Sequence, residues 1–293
     1  MSNEEKNYSN TNINWYPGHM AKARREITEA VKLVDVVIEI IDARIPIASR
    51  NPILNEIIGD KPRVIVLNKA DLADSEQNKK WVQSFKKVNQ IAIIANSNQG
   101  KGIKDVTDAA YKLMQDKLDK QAEKGRIGAS IKAMIVGIPN VGKSTFINKV
   151  AGKPTAEVGN KPGVTRRNQW VRLNDKIQLL DTPGVLWPKF EDQSIARHLA
   201  YIGTIKDEIM DVDELALRLI EELLETNKTE LYARYKISED FEYDMSYEVM
   251  DEIGRKRGCL VRGGEVDYTK VANIVLDEFR TGKIGAITLE EAK

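Results

Sequence analysis

Gly137-Ile138-Pro139-Asn140-Val141-Gly142-Lys143-Ser144, followed by Thr145, is the segment from which the rest of this 293-residue chain can be ordered. It has the spacing Gly, four residues, Gly-Lys-Ser of a phosphate-cradling loop. Lys132 to Val136 reads as a buried strand entering the loop, and Ser144 to Val150 as a helix leaving it. Glycines let backbone N–H groups turn inward around phosphate oxygens, at the positive end of the helix that follows. Asn140, Val141, Gly142 and Thr145 then line the cradle; Lys143 reaches the β- and γ-phosphates and the Ser144 hydroxyl ligates Mg²⁺. A glycine-rich turn of no function is the bland alternative, and the flanking strand and helix argue against it.

Composition sets the frame. The length suits one nucleotide-binding domain and a smaller second one. The net charge of +1 hides a division: from Ile205 onward there are 13 Lys/Arg against 22 Asp/Glu, and before it 32 against 22. A polyanionic partner is therefore expected mainly on the first part. The single cysteine, Cys259, excludes an internal disulfide and a cysteine-rich zinc site, and reads as a small core residue. No apolar run reaches membrane-spanning length, and residues 1–13 are polar, without the apolar core of a secretion signal. A cytoplasmic protein with a disordered N-terminus is expected.

Upstream of the phosphate loop, Trp15-Tyr16-Pro17-Gly18-His19-Met20 turns into a helix over Met20 to Leu33. Asp35 to Ile41 is a β-branched run suited to a central parallel strand, with Asp42-Ala43-Arg44-Ile45-Pro46 at the carboxyl end where α/β sheets place ligands. Strand Val64 to Leu67 leads into Asn68-Lys69-Ala70-Asp71. A carboxylate at Asp71 can accept from guanine N1–H and the 2-amino group. Adenine offers neither donor and would leave the carboxylate unpaired. The Asn68 amide can serve the O6/N7 edge and the Lys69 stem can lie over the ring. Alone the tetrapeptide could be a helix N-cap; beside a phosphate loop it points to GTP. Helix 76–88 and strand 91–95 lead to Asn96-Ser97, expected as a second base-contacting loop although the usual Ser-Ala-Lys is missing. One helix is expected over 103–121 and a linker over 123–130.

After the loop, Thr165 in Lys161-Pro162-Gly163-Val164-Thr165-Arg166 is the candidate switch threonine, its hydroxyl joining Mg²⁺. A hairpin of strands 169–173 and 176–180 ends at Asp181-Thr182-Pro183-Gly184, where Asp181 faces Mg²⁺ and the Gly184 N–H the γ-phosphate. From Ile195 the pattern is helical throughout. Arg255-Lys256-Arg257-Gly258 is open between an RNA contact and a solvated helix end capped by glycine. The usual GTPase order is phosphate loop, threonine, Asp-x-x-Gly, Asn-Lys-x-Asp. Here the last motif comes first, in unchanged cyclic order, so the chain is circularly permuted. The fold class expected is α/β: a circularly permuted P-loop GTPase domain with a mostly parallel sheet over 14–190, plus an all-α C-terminal domain over 191–293, its RNA-binding role left open. In this order the segment after Gly184 runs into the helical domain, which should feel loss of the γ-phosphate.

Together Trp15 to Met20, Asn68 to Asp71, Gly137 to Thr145, Pro162 to Thr165, Asp181 to Phe190 (DTPGVLWPKF) and Lys256 to Cys259 resemble the circularly permuted ribosome-assembly GTPases across nearly the whole chain after residue 13. The resemblance implies GTP hydrolysis coupled to late maturation of the large (50S) ribosomal subunit, with rRNA as partner. It also implies that His19 stands in for the water-orienting glutamine, since that position is Val185 here, and that Asn140 helps bind K⁺ where relatives require it. A histidine that caps its own helix or touches RNA is the alternative for His19. His198 reads as structural. No DNA or membrane partner is expected, and a monomer is. A signalling or membrane switch fits less well, for want of a lipidation motif and of the glutamine. A P-loop kinase would leave Asn68 to Asp71 without a purpose.

Overall fold

A computed structural model of the chain describes residues 20–125, 128–152, 169–172, 177–182, 184, 192–205, 207 and 210–292. His19, Thr165 and Val185 lie outside these residues. The chain divides into two compact units. One lies within residues 17–188 and includes the residues from Ala286 onward; the other lies within 189–285.

In the first unit, α1 (Met20–Lys32) precedes β1 (Val36–Asp42), α2 (Pro52–Ile58), β2 (Arg63–Asn68), α3 (Ser75–Ser84), β3 (Gln90–Ile94), α4 (Ile103–Leu113), α5 (Gln115–Glu123), β4 (Ile131–Val136), α6 (Lys143–Ala151), β5 (Gln169–Arg172) and β6 (Ile177–Asp181). The strands form one sheet in the order β3-β2-β1-β4-β6-β5, parallel except for β5, which pairs antiparallel with β6. β-Branched runs buried on both faces make such strands, and every residue of β1 and β2 is buried. That includes Glu39, which Arg50 and Arg63 neutralise at 3.0 and 3.2 Å. The parallel register carries β1, β2, β4 and β6 out of the sheet at the same edge. The loops after Asp42, Asn68, Val136 and Asp181 are gathered there.

Two expectations about helices need correction. The segment 103–121 is not one helix: α4 stops at Leu113 and α5 starts at Gln115, with Met114 between them at φ −102°, ψ 4°. No glycine or proline marks this break. The helix expected to run to Val88 ends at Ser84, because Phe85 caps it and Asn89, at φ 59°, turns the chain into β3.

The helical unit contains α7 (Gln193–Tyr201), α8 (Val212–Thr226), α9 (Lys228–Tyr235), α10 (Ser246–Arg257) and α11 (Tyr268–Arg280). Leu215, Leu219 and Leu223 of α8 and Val271, Val275 and Phe279 of α11 are buried at i, i+4 spacing. Glu278, buried on α11, takes Arg234 and Arg257 together. Arg257 also lies over the Tyr235 ring at 5.0 Å, so one arginine of the basic cluster is held inside its own unit, and Gly258 caps α10 at φ 64°. His198 pairs with Glu222 at 2.8 Å. Cys259 is buried. Beyond the helices this unit has an isolated bridge between Leu260 and Val266.

Candidate functional site

The phosphate loop leaves β4 as anticipated, and α6 begins at Lys143 with Gly142 as its N-cap at φ 97°. A β-carbon on Gly142 would stand 2.4 Å from Asn68 Nδ2, and one on Gly184 2.7 Å from Lys143 Nζ. Both positions therefore require the absence of a side chain for the loops to close on one another. Lys143 is 7% exposed, and its ammonium donates to the carbonyls of Gly137 and Ile138 at 3.0 and 2.8 Å. Burial lowers its pKa to about 8, opposed in part by the Asp181 carboxylate.

Asp181 ends β6 on the other side of the loop. Burial raises its pKa to about 6, against the pull of Lys143 and a backbone hydrogen bond from Thr182. Its Oδ1 is buried with no hydrogen-bond partner among the described residues. The next residue, Thr182, is buried and donates its hydroxyl to Ile135 O at 2.6 Å, tying the Asp-Thr-Pro-Gly segment to β4. An unpartnered buried carboxylate oxygen beside a serine-bearing helix start fits a hard divalent cation, which takes oxygen ligands. Asp181 and Ser144 can both contribute; Thr165 lies outside the described residues. Among the described residues no cluster of three His, Cys, Asp or Glu side chains could hold a metal. A cation here would depend on hydroxyl and phosphate oxygens as well.

Asn68-Lys69-Ala70-Asp71, expected to read the base, is brought to the same edge. Asn68 Nδ2 donates to Val141 O at 2.7 Å, and Asn68 Oδ1 accepts from both Ser97 N and Ser97 Oγ, at 3.0 and 2.8 Å. The amide expected at the O6/N7 edge of a base thus ties the phosphate loop to the Asn96-Ser97 loop. Asn96 Oδ1 accepts from Gln99 N, while its Nδ2 is buried without a partner among the described residues. Lys69 adopts the left-handed conformation, φ 57°, and starts the 3₁₀ turn Ala70–Leu72. That turn leaves Asp71 exposed.

Asp42 and Arg44 were not assigned a role from sequence. Asp42 is buried and takes Arg44 Nη2 at 2.8 Å, Arg44 Nε at 2.9 Å and Lys69 Nζ at 3.1 Å. Burial would raise its pKa, but the two cations outweigh burial and hold it below the usual carboxylate range. The Lys69 pKa is lowered by burial, with Asp42 opposing. The signal available in sequence was Asp42-Ala43-Arg44 at a strand's carboxyl end; the pairing with Lys69 is a matter of the third dimension.

Residues 132–239 match a family model described as 50S ribosome-binding GTPase. Ribosome biogenesis GTPase A of Bacillus cereus is 49% identical over 281 residues, covering 95% of this chain and 93% of its own. The chain belongs to the ribosome biogenesis GTPase A family. A more distant member from Thermotoga maritima is 33% identical over 95% of this chain. Among solved structures, GDP-bound YlqF superposes with a TM-score of 0.64 at 28% identity, over 91% of this chain and 99% of that one. The GNP-bound YlqF of T. maritima gives 0.61 at 29%. Membership makes the chain a guanine-nucleotide-binding GTPase, and the permuted motif order is the family's architecture. Among the described residues no helix is long and apolar enough to cross a membrane.

Proposed function

We propose that this GTPase converts GTP to GDP and phosphate during late maturation of the large (50S) ribosomal subunit, its nucleotide state setting its hold on that subunit. The observation that carries the reading is the Asn68 bridge. Its bonds, to Val141 O and to Ser97, join segments 73 and 29 residues apart, so that base and phosphate contacts serve one nucleotide. Asp71 accepts from guanine N1–H and the 2-amino group, the Lys69 stem covers the ring, and Ala70, Asn96 and Ser97 complete the base side. Asn140, Val141, Gly142, Lys143, Ser144 and Thr145 surround the phosphates, with Thr165 and Gly184 at the γ-phosphate.

Ser144, Thr165 and Asp181 hold Mg²⁺, which neutralises charge on the phosphate oxygens. Lys143 supplies the fixed positive charge, and placing it against the phosphates offsets its desolvation. Val185 has no polar atom for the attacking water, so His19 orients it once the subunit is engaged. Asn140 helps to hold K⁺ near the phosphates. The protein acts as a cytoplasmic monomer, and the basic first part of the chain and the helical unit lie against rRNA.

The test is co-sedimentation with large subunits, mature and immature, in a non-hydrolysable GTP analogue and in GDP. The analogue should increase the bound fraction, and His19→Ala should bind GTP normally while losing subunit-stimulated turnover. Equal sedimentation in both nucleotides would reject the coupling. Undiminished stimulated turnover in the variant would reject the role of His19.

A further inference from the structure

The residues from Ala286 onward belong with the sheet unit, not with the helices that precede them. Their contacts converge on the base side of the site. Ile287, buried, donates its N–H to Leu72 O at 3.0 Å, the last residue of the 3₁₀ turn that presents Asp71. The Thr288 hydroxyl accepts from Asp74 N at 3.0 Å, at the start of α3. Leu289 N donates to Arg44 O at 2.9 Å. The Glu290 carboxylate accepts from Ile47 N at 2.5 Å and Ala48 N at 3.0 Å, and Glu290 O accepts from Trp81 Nε1 at 3.0 Å. Ala292 packs on the cluster of Ile41, Leu67, Trp81 and Phe85.

Two loops are held by this one segment. One is the loop after β1, which contains Arg44; through Asp42, Arg44 fixes the ammonium of Lys69. The other is the Leu72–Asp74 chain just beyond Asp71. The strap therefore grips both sides of Lys69-Ala70-Asp71 without touching the phosphate loop in any of these bonds. We propose that residues 286–292 are a positioning strap for the base-reading motif, with Glu290 and Thr288 as its positioning residues. Guanine affinity then depends on a segment that continues directly from the helical unit. The inference rests on the reading of Asp71 as the guanine acceptor.

A strap that sets the Asp71 carboxylate acts through hydrogen bonds to N1–H and the 2-amino group, so its loss is felt by guanine more than by hypoxanthine, which lacks the amino group. The experiment measures Kd for GDP and for IDP, and kcat at saturating GTP, on the full chain carrying Glu290→Ala, Glu290→Gln, Thr288→Val or Asp71→Asn. Glu290→Ala should weaken GDP about fivefold and IDP less, with kcat unchanged. Glu290→Gln keeps one acceptor oxygen and should recover part of the loss. Thr288→Val, nearly isosteric, tests the strap should Glu290→Ala fail to fold, and should shift GDP about twofold in the same selective way. Wild-type GDP affinity in both Glu290→Ala and Thr288→Val, or equal losses for GDP and IDP, overturns the strap. Asp71→Asn that keeps its preference for GDP over IDP overturns the underlying assignment instead, whatever the Glu290 and Thr288 variants do.

Discussion

Asp42 and Asp181 end the two strands that flank β4, and both are buried carboxylates at the edge where the loops gather. Asp42 is enclosed by two cations at 2.8 and 3.1 Å, and its pKa is depressed. Asp181 has one oxygen unpartnered among the described residues, and its pKa is raised to about 6. The base side thus holds an ion-pair network, Asp42 with Arg44 and Lys69, whose groups answer each other. The phosphate side keeps a buried carboxylate and a buried ammonium, Lys143, each shifted toward its neutral form. A site that recognises a shape needs rigidity before the ligand arrives. A site that receives a highly charged ligand with its cation gains by leaving charges for that ligand to satisfy.

The sharpest way to break this comparison is to neutralise each carboxylate in turn. Asp42→Asn leaves the buried Arg44 and the partly exposed Lys69 without the carboxylate they share and should destabilise the nucleotide-free protein by about 3–5 kcal/mol. Asp181→Asn removes a charge that burial disfavours and should stabilise the same protein by about 1 kcal/mol, while weakening Mg²⁺-dependent nucleotide binding. Denaturant unfolding of both variants, free of nucleotide, is the check. Effects of the same sign would end the distinction between the two corners.

How the two corners could be read from sequence follows the same division. The phosphate side is local: Gly137 to Ser144 places strand, loop, lysine and helix in consecutive residues, and the spacing alone gives the geometry. Asp181-Thr182-Pro183-Gly184 is local too, and β-branched runs of period consistent with buried strands gave the sheet. The base side depends on meetings across long stretches of chain. Asn68-Lys69-Ala70-Asp71 is visible as a motif, but Asp42 paired with Lys69, Ser97 with Asn68, and Glu290 with Ile47 and Ala48 are contacts no spacing encodes. Residues 286–292 carry no glycine, no proline and no motif, so nothing in the pattern separated them from the helices before them. The break at Met114 was equally silent, since neither Gly nor Pro stands there.

A second way to sharpen the comparison is to remove the phosphate-side cation. Lys143→Ala deletes the charge set against the phosphates, and loss of one such preorganised donor should lower kcat by about 10²–10³-fold. Because the Lys143 ammonium donates to Gly137 and Ile138 rather than to the base-side groups, the variant should keep its preference for GDP over IDP even as overall affinity falls. Loss of that preference along with turnover would mean that the two corners are one cooperative unit.

The most graded effect is the one pH gives. Burial raises the Asp181 pKa above its unfolded value, so in the nucleotide-free protein the folded state binds more protons there, and stability falls as pH rises to about 6. Lys143 is depressed to about 8, so above that the unfolded chain binds more protons and stability recovers. Between about 6 and 8 both side chains are charged and both desolvation costs are present in full. At the proposed site Mg²⁺ and phosphates would relieve those costs, so Mg·GDP affinity should be highest in that window. It should weaken by up to about tenfold per pH unit below 6, where Asp181 must lose a proton to meet the cation, and likewise above 8, where Lys143 must gain one. Asp42 has the opposite sign: its depressed pKa contributes stability above the ordinary carboxylate value and loses it only in stronger acid, so this carboxylate adds nothing to the pH dependence across this range. Calorimetric titrations from pH 5 up to the point where guanine itself loses its N1 proton separate the contributions. The acid limb beyond that owed to the phosphates should vanish in Asp181→Asn. If it persists there unchanged, the carboxylate at the end of β6 is not the group that the cation meets.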